Sequence, residues 1–287
     1  MAVAAGMWHG LWIAKFNIPS FIATLSGMLI FRGLTYAILG GQTYFSYPQQ
    51  FLAVTNGFLK DYLGGNNSNF HVTTFVIGFA VAAVFIMAEL YKRAQQRRNE
   101  IPLGRTRFFI LKLAILSAVI VYFMYVLACY KGIPIVLIHV TVIVLIYSYI
   151  LNNTIIGRHV YAIGGNQKAA LLSGVNVGKA MFTVYVNVAF LTAVAGLVFT
   201  ARINAASPKA GEGFELDAIA ACYIGGASAS GGIGTIGGAM IGALVMGLLN
   251  NGMSILGIDV NVQMVVKGLV LLMAVVFDQL QKSRSRS

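Results

Sequence analysis

Long apolar runs separated by short polar joints recur along the whole chain. They cover 20–39, 70–91, 108–127, 135–151, 181–200, 237–256 and 262–280. Each approaches the roughly 20 residues that an α-helix needs to cross a hydrocarbon core. An eighth run, 216–232, is apolar but interrupted by glycine. The first segment, 1–13, is apolar yet short, ends at Lys15 and the Ile18-Pro19 break, and reads as the tail of a longer helix. The pattern predicts an all-α polytopic transmembrane bundle: about eight spans, one of them short or broken, plus a short first helix.

One polar stretch stands out, 157–174, between two apolar blocks. It is too long for a tight turn and too polar for lipid. Gly164-Gly165 breaks the chain's direction, Asn166 is a good N-cap, residues 167–172 are mostly helix formers, and Ser173-Gly174 ends them. A short helix along the membrane surface is expected here.

Composition agrees: of 287 residues 58% are hydrophobic and only 10% charged, well below a soluble domain. The net charge of +12 would suggest nucleic acid in a soluble protein, but the basic residues cluster in loops, as membrane topology requires. Lys92, Arg93, Arg97, Arg98, Arg105 and Arg107 mark one cytoplasmic loop, and Arg158, Lys168 and Lys179 put the 157–174 stretch on the same side. Lys282, Arg284 and Arg286 place the C-terminus there too. Glu212, Glu215 and Asp217 gather on the outer side, and the parity of crossings then makes 216–232 a span despite its glycines. Interrupted spans of this kind are where transporters set backbone groups around a polar pathway. Cys129 and Cys222 lie apart, without metal or redox spacing.

Gly232-Ile233-Gly234-Thr235-Ile236-Gly237 fits G-x-G-x-x-G, with Asp259 downstream, but no βαβ pattern surrounds it. The glycines read better as close helix packing through Gly234, Gly238 and Gly242, extended by Ala243 and Gly247. His9, His71, His139 and His159 are scattered, so no metal site is expected. Arg32 and Lys267 are read as snorkelling to the outer interface rather than serving a pore. With every acid assigned to a boundary or loop, neither an embedded hydrolase nor an ion-coupled carrier is favoured. Thr24, Ser26, Asn187, Thr192, Asn250 and Asn251 supply neutral polar groups along the spans. They suit either a hydroxylated cargo or hydrogen bonds between helices.

Residues 157–174, together with Ile18-Pro19-Ser20-Phe21-Ile22-Ala23-Thr24-Leu25 and Glu215-Leu216-Asp217-Ala218-Ile219-Ala220-Ala221, resemble the membrane permeases of bacterial ABC sugar importers of the ribose/xylose type. Leu39-Gly40-Gly41-Gln42-Thr43, Gly225-Gly226-Ala227-Ser228-Ala229-Ser230-Gly231-Gly232 and Asn250-Asn251-Gly252-Met253-Ser254 are similar to the multiple-monosaccharide subgroup, and the basic loop is similar to the longer, xylose-type members. The resemblance covers nearly the whole chain. It implies one transmembrane permease domain over 1–287 in a bacterial inner membrane, with a second permease copy, a periplasmic sugar-binding protein outside, lipid around the spans, and ATPase subunits inside. This chain would bind no cofactor, ATP and Mg being held by the ATPase. The surface helix corresponds to a coupling helix, with Arg158, Tyr161, Gly164, Gly165, Asn166, Lys168, Ala169, Ala170, Ser173 and Gly174 as the ATPase contact. Thr24, Arg32, Glu215, Asp217, Gly225, Gly226, Asn250 and Asn251 are the candidates for the sugar path. Leu171 stands where the family usually carries arginine. The family's helices preceding this segment, with an acidic motif, are not found, so the chain reads as N-terminally truncated.

Overall fold

A computed structural model describes residues 1–64, 70–99, 105–228 and 230–286. In chain order the elements are α1 (Ala2–Ala14), α2 (Ser20–Leu39), β1 (Tyr44–Phe45), α3 (Gln49–Asn56), α4 (Val72–Arg98), α5 (Thr106–Tyr130) and α6 (Ile135–Asn153). Then follow α7 (Ile155–Gly165), α8 (Gln167–Leu172), α9 (Val177–Ile203), β2 (Ala205–Ala206), α10 (Phe214–Ile224), α11 (Ile236–Ile255) and α12 (Val260–Arg286). Among the described residues seven helices are long and apolar enough to span a membrane: α2, α4, α5, α6, α9, α11 and the 260–280 part of α12. The segment expected as a broken span holds α10, only 11 residues long, followed by non-helical chain at 225–228 and 230–235. Glycine explains the stop: Gly226, Gly231 and Gly232 all take positive φ, which ordinary residues adopt only with strain.

Two compact units divide the chain, residues 48–140 and the remainder, with the boundary inside α6. In the smaller unit α4 packs on α5 where Gly78 admits the Met124 side chain. The basic ends of these helices are tied by Arg93, which donates to Thr106 Oγ1 at 2.9 Å and stacks 4.1 Å over the Phe109 ring. Glu89 adds Lys92 and Lys112 at 3.9 Å each. Residues 100–104 of the basic loop lie outside the described residues. Asp61 fastens the start of α4, accepting from the backbone N–H of Leu63, Gly64, Val72 and Thr73 and, at 2.6 Å, from the Thr73 hydroxyl.

In the larger unit α1 lies along α9, its Gly6 and Gly10 facing Ala189 and Phe182, while His9 enters the space left by Gly27 of α2. The far ends of α2 and α9 are joined by an antiparallel pairing of β1 with β2, and Asn204 Oδ1 accepts from Tyr47 N at 3.0 Å. α10 packs against both α11 and α12 around Ala220, Ala221 and Met246. Among the spans most large apolar side chains point outward, for example Leu145, Leu244 and Leu272, which is the arrangement that lipid rather than water accommodates.

Candidate functional site

Two neighbouring features of the larger unit carry the chemistry: the polar α7–α8 segment and the glycine turn that follows α10. The chain leaves α6 at Thr154, whose hydroxyl caps α7 through Gly157 N. Gly157 is pressed so close to the Leu151 backbone that no side chain fits. α7 therefore exists as a separate helix, which the sequence reading folded into one polar joint; the Asn-Asn-Thr run at 152–154 was the available signal. Asn166 interrupts it, and its Oδ1 accepts from Ala169 N at 3.0 Å, starting α8. Ser173 and a left-handed Gly174 end α8. Cap, helix and stop thus sit where the sequence placed them.

Only Ala170 of α8 is buried. Arg158, Asn166, Lys168, Ala169 and Ser173 are exposed, as are Leu171 and Leu172. Leu172 is 89% exposed, so α8 shows a mixed cationic and apolar face. In the sequence Leu171 stood out only as a departure from the family's arginine, and Leu172 was not singled out. Beneath α8 a cleft of about 580 Å³ opens against α1, α2 and α9, lined among others by Asn17, Ser20, Gln167, Lys168 and Met181.

Tyr161 and Gly164 look the other way. The Tyr161 hydroxyl donates to the Gly234 carbonyl at 2.8 Å. A methyl group placed on Gly231 would lie 2.8 Å from Gly164 O, and one on Gly232 2.8 Å from Gly165 Cα. The two segments therefore meet backbone to backbone. Gly238 and Gly242 do serve helix packing, facing the backbone at Gly225 and Ala221. Gly234 lies ahead of α11, with φ 152°, and Gly247 has nothing within 4 Å; neither belongs to that helix contact.

The expected path residues do not form one group. Asp217 and Asn250 come together: Asn250 Nδ2 donates to Asp217 Oδ2 at 3.0 Å, and Lys267 Nζ donates to the same oxygen at 2.9 Å. This corrects one expectation. Lys267 does not snorkel; packing of α10 on α12 gives it a carboxylate, a cheaper solution in apolar surroundings than an isolated charge. Asp217, in the first turn of α10, is held among three helices with its side chain 16% exposed. Its Oδ1 and Asn250 Oδ1 are buried without a partner among the described residues. Arg32 joins Glu212 at 3.4 Å in an exposed pair. Glu215 and Asn251 are exposed, Gly225 abuts Gly238, and Gly226 is left-handed. Thr24 bonds back to Ser20 O at 2.9 Å and borders an apolar crevice of about 1000 Å³ between α1, α2 and α9. Asn187 accepts from the Tyr147 hydroxyl at 2.7 Å, an interhelical bond rather than a free cargo contact.

Comparison with known proteins gives these features a context. A family model described as "Branched-chain amino acid transport system / permease component" matches residues 1–275. The xylose transport system permease protein XylH of Haemophilus influenzae is 37% identical over 97% of this chain and 72% of its own length. The protein of that name from Escherichia coli K12 is 34% identical over 99% of this chain and 70% of its own. The ribose import permease protein RbsC of Bacillus subtilis is 47% identical over 52% of this chain and 47% of its own. No solved structure matches the chain significantly.

Proposed function

The chain belongs to the branched-chain amino acid transport system permease family, and from that premise we propose that it is the membrane-spanning subunit of an ATP-driven importer of monosaccharides, xylose or related pentoses and hexoses. As a member of that family it is a transport component, not an enzyme, and a multi-pass membrane protein. The observation that carries the reading is similarity to xylose permeases along 97% or more of the chain, although the family description names amino acids. Permeases of this kind work with a separate ATPase and a periplasmic binding protein.

Within that reading 1–287 is one permease domain in the inner membrane, two copies assemble in lipid, and ATP with Mg stays on the ATPase. The α7–α8 face with Arg158, Lys168 and Ala169 receives the ATPase, and α10 with the glycine turn lies beside the sugar path, together with Asp217 and Asn250. The C-terminus is cytoplasmic. Asp217, in the first turn of α10, is paired with Lys267, and family membership supports the ATP-driven reading over an ion-coupled carrier.

The test is uptake of labelled xylose, arabinose, galactose and ribose, with leucine as contrast, into vesicles holding this chain, its ATPase and its binding protein. Sugar uptake that requires internal ATP is expected. Uptake that follows an ion gradient without ATP would overturn the proposal.

A further inference from the structure

We infer that the glycine turn between α10 and α11 takes up the movement of the α7–α8 segment, and that Tyr161 is the positioning residue that keeps the two in register. The inference rests on the reading above that α8 receives the ATPase. Gly164 and Gly165 on one side and Gly231 and Gly232 on the other touch through backbone atoms alone. No flexible side chain lies between them to absorb a displacement. The Tyr161 hydroxyl, donating to Gly234 O at 2.8 Å, fixes how the two surfaces face each other.

The described residues of the turn are tied to one another and to α11. Ala227 N donates to Cys222 O at 2.9 Å, Ser228 N to Ile233 O at 3.0 Å and Gly231 N to Ser228 O at 3.0 Å. Thr235 Oγ1 accepts from Gly238 N at 3.0 Å, tying the turn to α11. Its two ends continue into helices locked together at Gly225, Gly238 and Gly242, and Asp217 joins the same pair to α12 through Asn250 and Lys267. A displacement of α8 therefore moves α10 and α11 as a block, which is how packed elements with few soft contacts respond.

The test compares wild type, Tyr161→Phe, Gly232→Ala and the double variant in reconstituted vesicles. ATPase retention, ATP hydrolysis and sugar uptake are measured on each. The expected result is that sugar moved per ATP hydrolysed falls about fivefold in Tyr161→Phe, the scale of one neutral hydrogen bond. The double variant should do no worse than the more damaged single, because both changes act on one contact. An unchanged ratio in Tyr161→Phe overturns the inference, including the case in which uptake and ATPase retention fall together, which would make Tyr161 a docking residue. Losses that multiply in the double variant overturn it as well. Failure of the wild-type chain to retain the ATPase takes down the permease reading and this inference together, and is told apart by appearing before any substitution is made.

Discussion

Asp61 holds its carboxylate in a ring of donors from residues 63–64 and 72–73. The Thr73 hydroxyl first, then the backbone N–H groups of Gly64, Thr73 and Leu63, hold its carboxyl far below the usual carboxylate range. A depressed folded-state value means that the ring's contribution is fully present above the ordinary carboxylate pKa and is lost only as pH falls through the depressed value. Amide exchange at Val72 and Thr73 should thus stay slow from neutral pH to below pH ~4, and Asp61→Ala should abolish that protection. Lys267 supports a second expectation. Lys267→Met leaves the partly buried Asp217 carboxyl without its cation, so thermal stability in detergent should fall by about 3 kcal/mol, with Asp217→Asn in the same chain recovering most of it. Recovery failing in the double variant would argue against the pair. In the sequence, Asp217 read as the edge of an acidic loop and Lys267 as a snorkelling cation, because neither residue carries information about which helix packs beside it.

At the scale of elements, α8 was legible and α7 was not. Asn166, the alanines and Ser173-Gly174 write a start, a body and a stop within nine residues, and local rules of that kind do not depend on tertiary contacts. The separation of α7 from α6 rests on a fold-back at Thr154 in which Gly157 lies against the Leu151 backbone, a close approach that the residue types alone do not announce. The same limit applies to Gly234: its spacing matched the small-residue face of α11, yet the helix begins after it. For α8 the structure makes a specific demand. Gly165 has nothing within 4 Å of an added side chain, and Ala169 is exposed. Gly165→Leu with Ala169→Leu should therefore leave folding and insertion intact while detaching the ATPase, read by co-purification and by at least a tenfold loss of ATP-driven uptake, the cost of about 1.4 kcal/mol at a docking surface. Retained uptake in that variant would remove α8 from the interface.

For the molecule as a whole, length and apolarity were enough to announce the seven full spans, since the bilayer imposes the same thickness on each of them. The grouping into residues 48–140 and the remainder left no trace in composition. The orientation expected from the loop charges is testable: with Cys129 and Cys222 replaced by serine, a cysteine introduced at Ser285 should react with a membrane-impermeant maleimide only from the cytoplasmic side, and one at Ser207 only from the outside. Labelling of both from one side would reverse the assigned parity.

The shortness of α10 also reaches back to biosynthesis. Its 11 residues rise about 16 Å, roughly half a hydrocarbon core. An insertion machinery that releases full-length apolar helices one by one would not release this one alone. α10 is instead held through α11, against which it packs at Gly225, Gly238 and Gly242. Bulky substitutions at those positions would accordingly be felt first on the ribosome-bound chain, as failed insertion and proteolytic clearance, before any finished molecule exists to be assayed.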